Sequence, residues 1–193
     1  MRTVCVFCGS RPGGAAHYAE AARAFGTALA RRGLGLVYGG GHIGLMGVLA
    51  DAVLAGGGRV GGVIPRALAD KELAHLGLTE LIVVDTMHER KSVMADRSDA
   101  FVALPGGYGT GDELFEILTW GQLGLHQKPI GLLNVAGFFD PLLAWLDHMV
   151  GEDFLKPVHR RLVRVANDVE ALLNLLAAPP EPRAEKWLQP GER

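Results

Sequence analysis

Residues 100–113 are AFVALPGGYGTGDE: an apolar run, a glycine-rich turn and the acidic start of a helical pattern. Ala100 to Leu104 predicts a buried strand, which Pro105 ends. The glycines that follow allow positive φ and let a ligand approach the backbone closely. A turn that leads into a helix can direct several N–H groups at one point, where the helix dipole adds about half a positive charge. The stretch therefore predicts a strand, a phosphate-binding turn and a helix in succession.

Glu113, near the start of this predicted helix, would repel a phosphate that lay beside it. We therefore expect its carboxylate to face another part of the same ligand. A nucleoside monophosphate, with a phosphate at one end and a reactive centre nearby, satisfies both requirements. These residues alone leave an alternative open, in which Gly106-Gly107 makes only a tight turn and Glu113 only compensates the helix dipole.

Apolar, strand-like runs alternate with helical patterns along the rest of the chain. Strands are predicted near residues 3–8, 35–38, 59–64, 79–84, 100–104, 129–134 and 162–166, and helices near 15–32, 44–56, 88–98, 109–125, 140–150 and 168–177. The strands are apolar throughout rather than alternating, as a sheet covered by helices on both faces requires. The pattern predicts an α/β fold with a doubly wound, Rossmann-like, mostly parallel sheet.

Polar or glycine-rich turns follow several of the predicted strands. They are Cys8-Gly9-Ser10, Gly39-Gly40-Gly41, Asp85-Thr86-Met87 and Pro105-Gly106-Gly107. Doubly wound sheets bind ligands at the carboxyl ends of the strands, where the strand order reverses. We therefore expect these turns to meet at one rim, which makes Ser10, Gly40 and Gly41 candidate substrate contacts.

Length and composition restrict the class of protein. The chain has 193 residues, of which 49% are hydrophobic, so we expect one domain with its own core over residues 1–178 and a proline-rich surface tail over 179–193. The net charge of −2 and the lack of a long basic cluster argue against nucleic-acid binding. The apolar stretch near the N-terminus, Val4 to Cys8, is too short for a signal-peptide core, and no later run approaches the length of a membrane span, so a cytoplasmic protein without a membrane partner is expected.

The sequence offers little for redox or metal chemistry. Cys5 and Cys8 have the C-x-x-C spacing, but residues three apart on a strand face opposite sides of the sheet, so we expect two structural thiols. The seven histidines show no metal-ligand spacing. No metal and no cofactor are expected.

Residues 39–44, GGGHIG, match the G-x-G-x-x-G pattern of dinucleotide-binding turns and lie between a predicted strand and a predicted helix. The acid that would hold a ribose hydroxyl is missing, because the next strand ends in Gly62-Val63-Ile64-Pro65. A nicotinamide-dependent oxidoreductase is therefore only a further alternative. The glycines still suit the close approach of a phosphate or a sugar.

Two groups of charged residues accompany these turns. Arg90 and Lys91 begin the helix after the fourth strand, where the dipole disfavours cations, so they need a partner such as Glu113 or a ligand phosphate. Glu113, Glu116 and Trp120 share one stripe of the following helix, which suits a ligand site with a subunit contact farther along. The alternatives are that Arg90 and Lys91 are solvated cations, that Glu116 is a surface acid and that Trp120 is an ordinary core residue.

Together these residues resemble a known family. Residues 105–113, PGGYGTGDE, resemble the P-G-G-x-G-T-x-x-E signature of the LOG ("Lonely Guy") family of cytokinin riboside 5′-monophosphate phosphoribohydrolases, and residues 87–91, MHERK, resemble its M-x-x-R-K element. The similarity extends over nearly all of residues 3–155. It implies a hydrolase that cleaves the N-glycosidic bond of adenosine 5′-monophosphates, N6-substituted or not, and releases cytokinin or adenine and ribose 5-phosphate.

The resemblance also implies roles for individual residues. Arg90 and Glu113 match the family's essential catalytic pair. With the rim turns included, the residues expected to bind the nucleotide are Ser10, Gly40, Gly41, Met87, Lys91, Gly106, Gly107, Tyr108, Gly109, Thr110 and Thr119. The family is typically dimeric with its site near the subunit boundary, so a homodimer is expected.

The segment of residues 66–86 is longer than in plant members of the family, which leaves the contacts to the base open, with Glu72 as one candidate. The main alternative in function is a non-catalytic carrier of a nucleotide or of molybdenum cofactor, since some relatives in the superfamily bind that cofactor. Other relatives are labelled lysine decarboxylases, but no lysine of this chain has a recognisable pyridoxal-phosphate setting.

Overall fold

A computed structural model describes residues 1–69 and 73–178. Seven strands form one sheet in the order β4-β3-β2-β1-β5-β6-β7, and every neighbouring pair is parallel. The strands are β1 (Thr3–Phe7), β2 (Gly35–Tyr38), β3 (Val60–Pro65), β4 (Glu80–Val84), β5 (Ala100–Ala103), β6 (Ile130–Leu133) and β7 (Val163–Ala166). Each lies within one residue of its predicted bounds, and the predicted doubly wound α/β fold is confirmed.

Helices connect these strands. They are α1 (Ala16–Arg31), α2 (Gly44–Ala55), α3 (Arg66–Ala69), α4 (Met87–Asp96), α5 (Tyr108–Leu123), α6 (Asp140–Gly151), α7 (Pro157–Arg160) and α8 (Val169–Ala177), with a 3₁₀ turn at Val135–Gly137. The sequence did not predict α3, α7 or the 3₁₀ turn, because so few residues show no helical periodicity. Helix α4 begins at Met87, since the Thr86 hydroxyl accepts a hydrogen bond from the Glu89 N–H at 3.0 Å and caps the helix.

The two faces of the sheet carry separate apolar layers. Helices α1, α2 and α8 cover one face, and α4, α5 and α6 cover the other. Along β1 the side chains alternate between these layers, and Cys5 packs in one while Cys8 packs in the other. Both thiols are free and buried, and burial raises the pKa of each. The prediction of two structural cysteines on opposite faces is confirmed.

The strand order reverses at β1, which has β2 on one side and β5 on the other. The loops that leave β1 and β5 are joined by a hydrogen bond from the Gly9 N–H to the Pro105 carbonyl at 3.0 Å. The predicted surface tail, residues 179–193, lies outside the described residues. Within the described ranges, no helix combines the length and the apolar character that crossing a membrane requires.

Candidate active site

A cavity of about 350 Å³ opens at the carboxyl ends of the strands, beside the reversal of strand order. Its volume is in the range of pockets that hold small ligands. Both predicted catalytic residues, Arg90 and Glu113, line it. The predicted substrate contacts that also line it are Ser10, Gly41, Gly107, Tyr108, Gly109 and Thr110. The structure thus brings together residues from the turns after β1, β2 and β5 and from helices α4 and α5.

Of the described residues predicted to contact the substrate, the others do not line this cavity: Gly40, Met87, Lys91, Gly106 and Thr119. The Lys91 ammonium instead lies 3.0 Å from a carboxylate oxygen of Asp112 and 3.0 Å from one of Glu116. Thr119 is exposed on α5, and its hydroxyl donates a hydrogen bond to the Phe115 carbonyl. Direct contact of these residues with a substrate stays a prediction.

Arg90 is held by the ends of two strands. Its Nε donates to the Val63 carbonyl at 3.1 Å, and its Nη2 donates to the Gly39 carbonyl at 3.2 Å. Its Nη1 lies 3.7 Å from Oε1 of Glu113, and its side chain is 10% exposed. Arg90 is therefore a fixed, buried cation beside an acid, and the alternative of a solvated cation is wrong.

Glu113 is a buried acid on α5, with 11% of its side chain exposed. Burial raises the pKa of its carboxyl group to about 7, although Arg90 nearby lowers it. Arg90 favours the charged form of this carboxyl group, but burial has the larger effect. Near neutral pH the carboxyl group therefore exists in both protonation states, as in many acid–base catalysts.

Two glycines at the N-terminus of α5 line the cavity: Gly107, the N-cap residue, and Gly109, in the first turn of the helix. A Cβ added to Gly107 or Gly109 would meet no heavy atom within 4 Å. A Cβ on Gly106 would overlap the Thr110 hydroxyl, so this glycine is needed for the turn itself. Free N–H groups at a helix N-terminus, with open space beside them, suit the binding of an anionic group.

One part of the cavity lining, here called the apolar wall, is made of apolar side chains. It consists of Ile43, Met46, Ile64, Leu68 and Leu73. Sequence analysis missed these residues, because they come from α2, β3 and the segment after it, and no motif marks them. The candidate base contact Glu72 lies outside the described residues.

A second, larger cavity of about 540 Å³ lies at the opposite rim, at the amino ends of the strands. Arg2, Arg59 and Arg97 contribute to its lining, but none of the predicted site residues does. Among the residues that the structure describes, no group of three or more histidine, cysteine and acidic side chains is placed to hold a metal ion. The chemistry of the predicted site residues therefore belongs to the smaller cavity.

Solved structures share this fold. The X-ray structure of TM1055 has a TM-score of 0.71 and 25% identity, and the superposition covers 91% of this chain and 98% of that one. The molybdenum cofactor binding protein of Rippkaea orientalis has a TM-score of 0.69 and 21% identity, covering 90% of this chain and 94% of that one. At 21% identity the second similarity indicates a common fold and nothing about the ligand.

Proteins found by sequence comparison are about twice as similar to this chain in sequence identity. A family model described as "Possible lysine decarboxylase" matches residues 46–176. The chain is 50% identical over 179 residues to the cytokinin riboside 5′-monophosphate phosphoribohydrolase of Rhodococcoides fascians, covering 92% of this chain and 90% of that one. It is 49% identical over 176 residues to LOG2 of Arabidopsis thaliana, which carries the same name, covering 91% and 83%. With two shared motifs and this identity over most of its length, the chain belongs to the LOG family of cytokinin riboside 5′-monophosphate phosphoribohydrolases.

Proposed function

We propose that this protein hydrolyses the N-glycosidic bond of N6-substituted adenosine 5′-monophosphates and releases the free cytokinin base and ribose 5-phosphate. The observation that carries the proposal is the placement of Glu113, a buried acid whose pKa is raised to about 7, in the same cavity as an open anion-binding turn. Relatives at about 50% identity that are named for this reaction support it.

The proposed chemistry follows from the charges that develop as the C1′–N9 bond breaks. Positive charge builds on the ribose and negative charge on the departing purine, so groups that bind these charges preferentially accelerate the step. Ionised Glu113 stabilises the sugar cation or activates the attacking water. Arg90 remains protonated at all relevant pH values, so it acts as a fixed positive charge beside Glu113 rather than as a general acid.

The 5′-phosphate is assigned to the turn before α5. Gly107 and Gly109 leave room for it, and Thr110, which is buried beside them, offers a hydroxyl donor. The N-terminus of a sixteen-residue helix also favours an anion at this position. A phosphate bound here places the ribose near Glu113 and explains a preference for monophosphates over nucleosides.

The base is assigned to the apolar wall. With the phosphate at the α5 turn and the ribose at Glu113, the remaining part of the cavity is bounded by Ile43, Met46 and Leu73. Burial of an isoprenoid substituent against such side chains contributes about 25 cal/mol per Å² of apolar surface. An apolar N6 substituent is therefore expected to improve binding.

The test is a steady-state comparison of N6-isopentenyl adenosine 5′-monophosphate, adenosine 5′-monophosphate and N6-isopentenyl adenosine, with chromatographic detection of the free base and ribose 5-phosphate. We expect both monophosphates to be cleaved and kcat/KM for the nucleoside to be lower by about 100-fold or more. Turnover of the nucleoside at the same rate as the monophosphate would refute the assignment of the 5′-phosphate to the turn before α5. Tight nucleotide binding without release of either product would favour the carrier alternative.

We also propose that the protein acts as a cytoplasmic homodimer. Trp145 is half-exposed and packs edge-on against Phe115 of α5, with ring centroids 5.7 Å apart, and the exposed Thr119 lies on the same helix. Exposed aromatic surface of this kind is typical of subunit contacts. The buried, unpaired thiols of Cys5 and Cys8 suit a reducing compartment.

Light scattering of the parent and of Trp145→Glu tests the homodimer. We expect a dimeric parent and a folded, monomeric variant, because a carboxylate at this aromatic contact opposes association. Unchanged circular dichroism would show that the variant is folded. A monomeric parent with full activity would contradict the proposal.

A further inference from the structure

Residues 73–77, here called the strap, lie across the glycine turn that follows β2. The His42 N–H donates to the Leu73 carbonyl at 3.1 Å, and the His75 N–H donates to the Gly40 carbonyl at 2.9 Å. The strap and the glycine turn are thus joined by main-chain hydrogen bonds in both directions. Any shift of the strap must change the geometry of that turn.

The strap contacts the candidate site in two ways. Its first residue, Leu73, lines the cavity as part of the apolar wall. The glycine turn beneath it includes Gly39, whose carbonyl accepts the hydrogen bond from Arg90. A shift of the strap would therefore mainly displace the apolar wall, to which the base is assigned. To a smaller extent it would also alter the hydrogen bond from Arg90 to the Gly39 carbonyl.

A side-chain contact ties the strap to α2. The ring Nδ1 of His75 accepts a hydrogen bond from the Gly77 N–H at 3.1 Å, so the proton of the neutral ring is on Nε2. That Nε2 lies 2.9 Å from Oδ1 of Asp51 and donates to it. The side chain of His75 is only 13% exposed, whereas that of Asp51 is 71% exposed on the surface of α2.

We propose that Asp51 and His75 are positioning residues for the substrate. Their hydrogen bond holds the strap against α2 and thereby keeps Leu73 in place at the base end of the cavity. Neither residue lines the cavity, so losing the bond weakens nucleotide binding more than it slows bond cleavage. The activity part of this inference rests on the proposed function, whereas the structural part does not.

The kinetic test compares Asp51→Ala with Asp51→Asn. The alanine removes the acceptor, whereas the asparagine keeps an oxygen at the same position and serves as the matched control. With N6-isopentenyl adenosine 5′-monophosphate, we expect Asp51→Ala to raise KM about fivefold with kcat within about twofold of the parent, and Asp51→Asn to resemble the parent in both. An unchanged KM in Asp51→Ala, or equal defects in both variants, would overturn the proposal.

Amide hydrogen exchange tests the same Asp51–His75 contact without any turnover. The N–H groups of His42 and His75 are the donors that join the strap to the glycine turn. We expect both to exchange about fivefold faster or more in Asp51→Ala than in the parent, and at the parent rate in Asp51→Asn. Exchange that is unchanged in Asp51→Ala would overturn the proposal even if the enzyme is active. If the parent lacks hydrolase activity but the variants show this exchange pattern, the proposed function is wrong, whereas the structural role of the Asp51–His75 hydrogen bond is supported.

Discussion

The two glycine-rich turns around the cavity use glycine for different reasons. In the turn between β2 and α2, the space beside the glycines is filled by the chain itself: a Cβ on Gly39 would overlap the Arg90 guanidinium, and a Cβ on Gly44 would overlap the Ser10 backbone. In the turn that leads into α5 and in the first turn of that helix, a Cβ on Gly107 or Gly109 would meet nothing within 4 Å. The first turn needs glycine in order to fold, and the second leaves room for a ligand.

This difference separates two motifs that look equivalent in sequence. Residues 39–44 match a dinucleotide pattern, yet Gly44 has a φ of +62° and packs against the backbone of Ser10 and Arg11 in the loop after β1, so the space beside its Cα is filled by the protein's own atoms. In the PGGYGT segment, by contrast, the space beside Gly107 and Gly109 is open. The space beside each Cα, rather than the glycine spacing, therefore distinguishes glycines that pack against the chain itself from glycines that leave room for a ligand.

The largest expected effect comes from the pair that connects the two turns, because Arg90 is bonded to the first turn and Glu113 belongs to the helix that follows the second. Glu113→Gln replaces the carboxylate by a neutral amide that cannot stabilise a sugar cation, so we expect kcat to fall about 100-fold or more. Steady-state kinetics on N6-isopentenyl adenosine 5′-monophosphate measure this. The control is the dissociation constant of the nucleotide, measured by calorimetry, which we expect to stay within a few-fold of that of the parent. Near-normal turnover of the variant would show that the role assigned to Glu113 is wrong.

Gly39→Ala tests the claim that the first turn needs glycine. The added methyl group displaces the Arg90 guanidinium from its two carbonyl partners, so we expect a loss of about 1 to 3 kcal/mol in the free energy of unfolding together with lower kcat. Gly107→Ala is the matched variant in the second turn and is expected to keep the parent's stability. Urea denaturation measures both, and equal stability of all three proteins would remove the contrast between the turns.

Gly109→Ala and Gly111→Ala sharpen the claim about the second turn. Both glycines lie in the first part of α5 and have free space beside them, but only Gly109 lines the cavity. We expect Gly109→Ala to raise KM for the monophosphate about tenfold, because its methyl group occupies the space assigned to the 5′-phosphate. Gly111→Ala should leave KM unchanged and stabilise the helix by about 0.5 to 1 kcal/mol. A similar KM in the two variants would place the phosphate elsewhere.

The sequence was sufficient for the sheet because its signals are local. Mostly apolar runs of four to six residues with turn residues after them located β1 to β7. The motif residues Arg90 and Glu113 came to the same cavity because parallel strands end at one rim. The short helices α3 and α7 were missed because a single turn has no periodicity.

The rest of the site depends on contacts between distant segments. The partners of Lys91 are Asp112 and Glu116, which no local pattern indicates. The apolar wall and the strap over the glycine turn likewise depend on which loops cross in space. The raised pKa of Glu113 is not visible in the sequence, because the sequence offers a candidate cation partner, Arg90, but does not show the depth of burial, which has the larger effect.

The smallest expected effect on activity concerns the carboxyl group that the two turns enclose. If ionised Glu113 is the active form, with a pKa raised to about 7, kcat/KM should increase about threefold between pH 6.5 and pH 7.5. The substrate phosphate also titrates near pH 6, so the residual activity of Glu113→Gln serves as the control for substrate ionisation. The same slope in parent and variant would show that Glu113 does not govern the profile.

The same carboxyl group gives an independent check through stability. The folded state raises the pKa of Glu113 from 4.5 to about 7, so it binds this proton more tightly than the unfolded chain does. The contribution of this group to the free energy of unfolding is therefore greatest below about pH 4.5 and decreases as the pH rises to about 7. Glu113→Gln removes the cost of ionising a buried carboxyl group, so we expect it to be more stable than the parent at pH 8, by about 1 to 3 kcal/mol, with the difference shrinking towards pH 5. Urea denaturation at both pH values measures this, and a constant difference would mean that Arg90 stabilises the ionised carboxylate well enough to offset its burial.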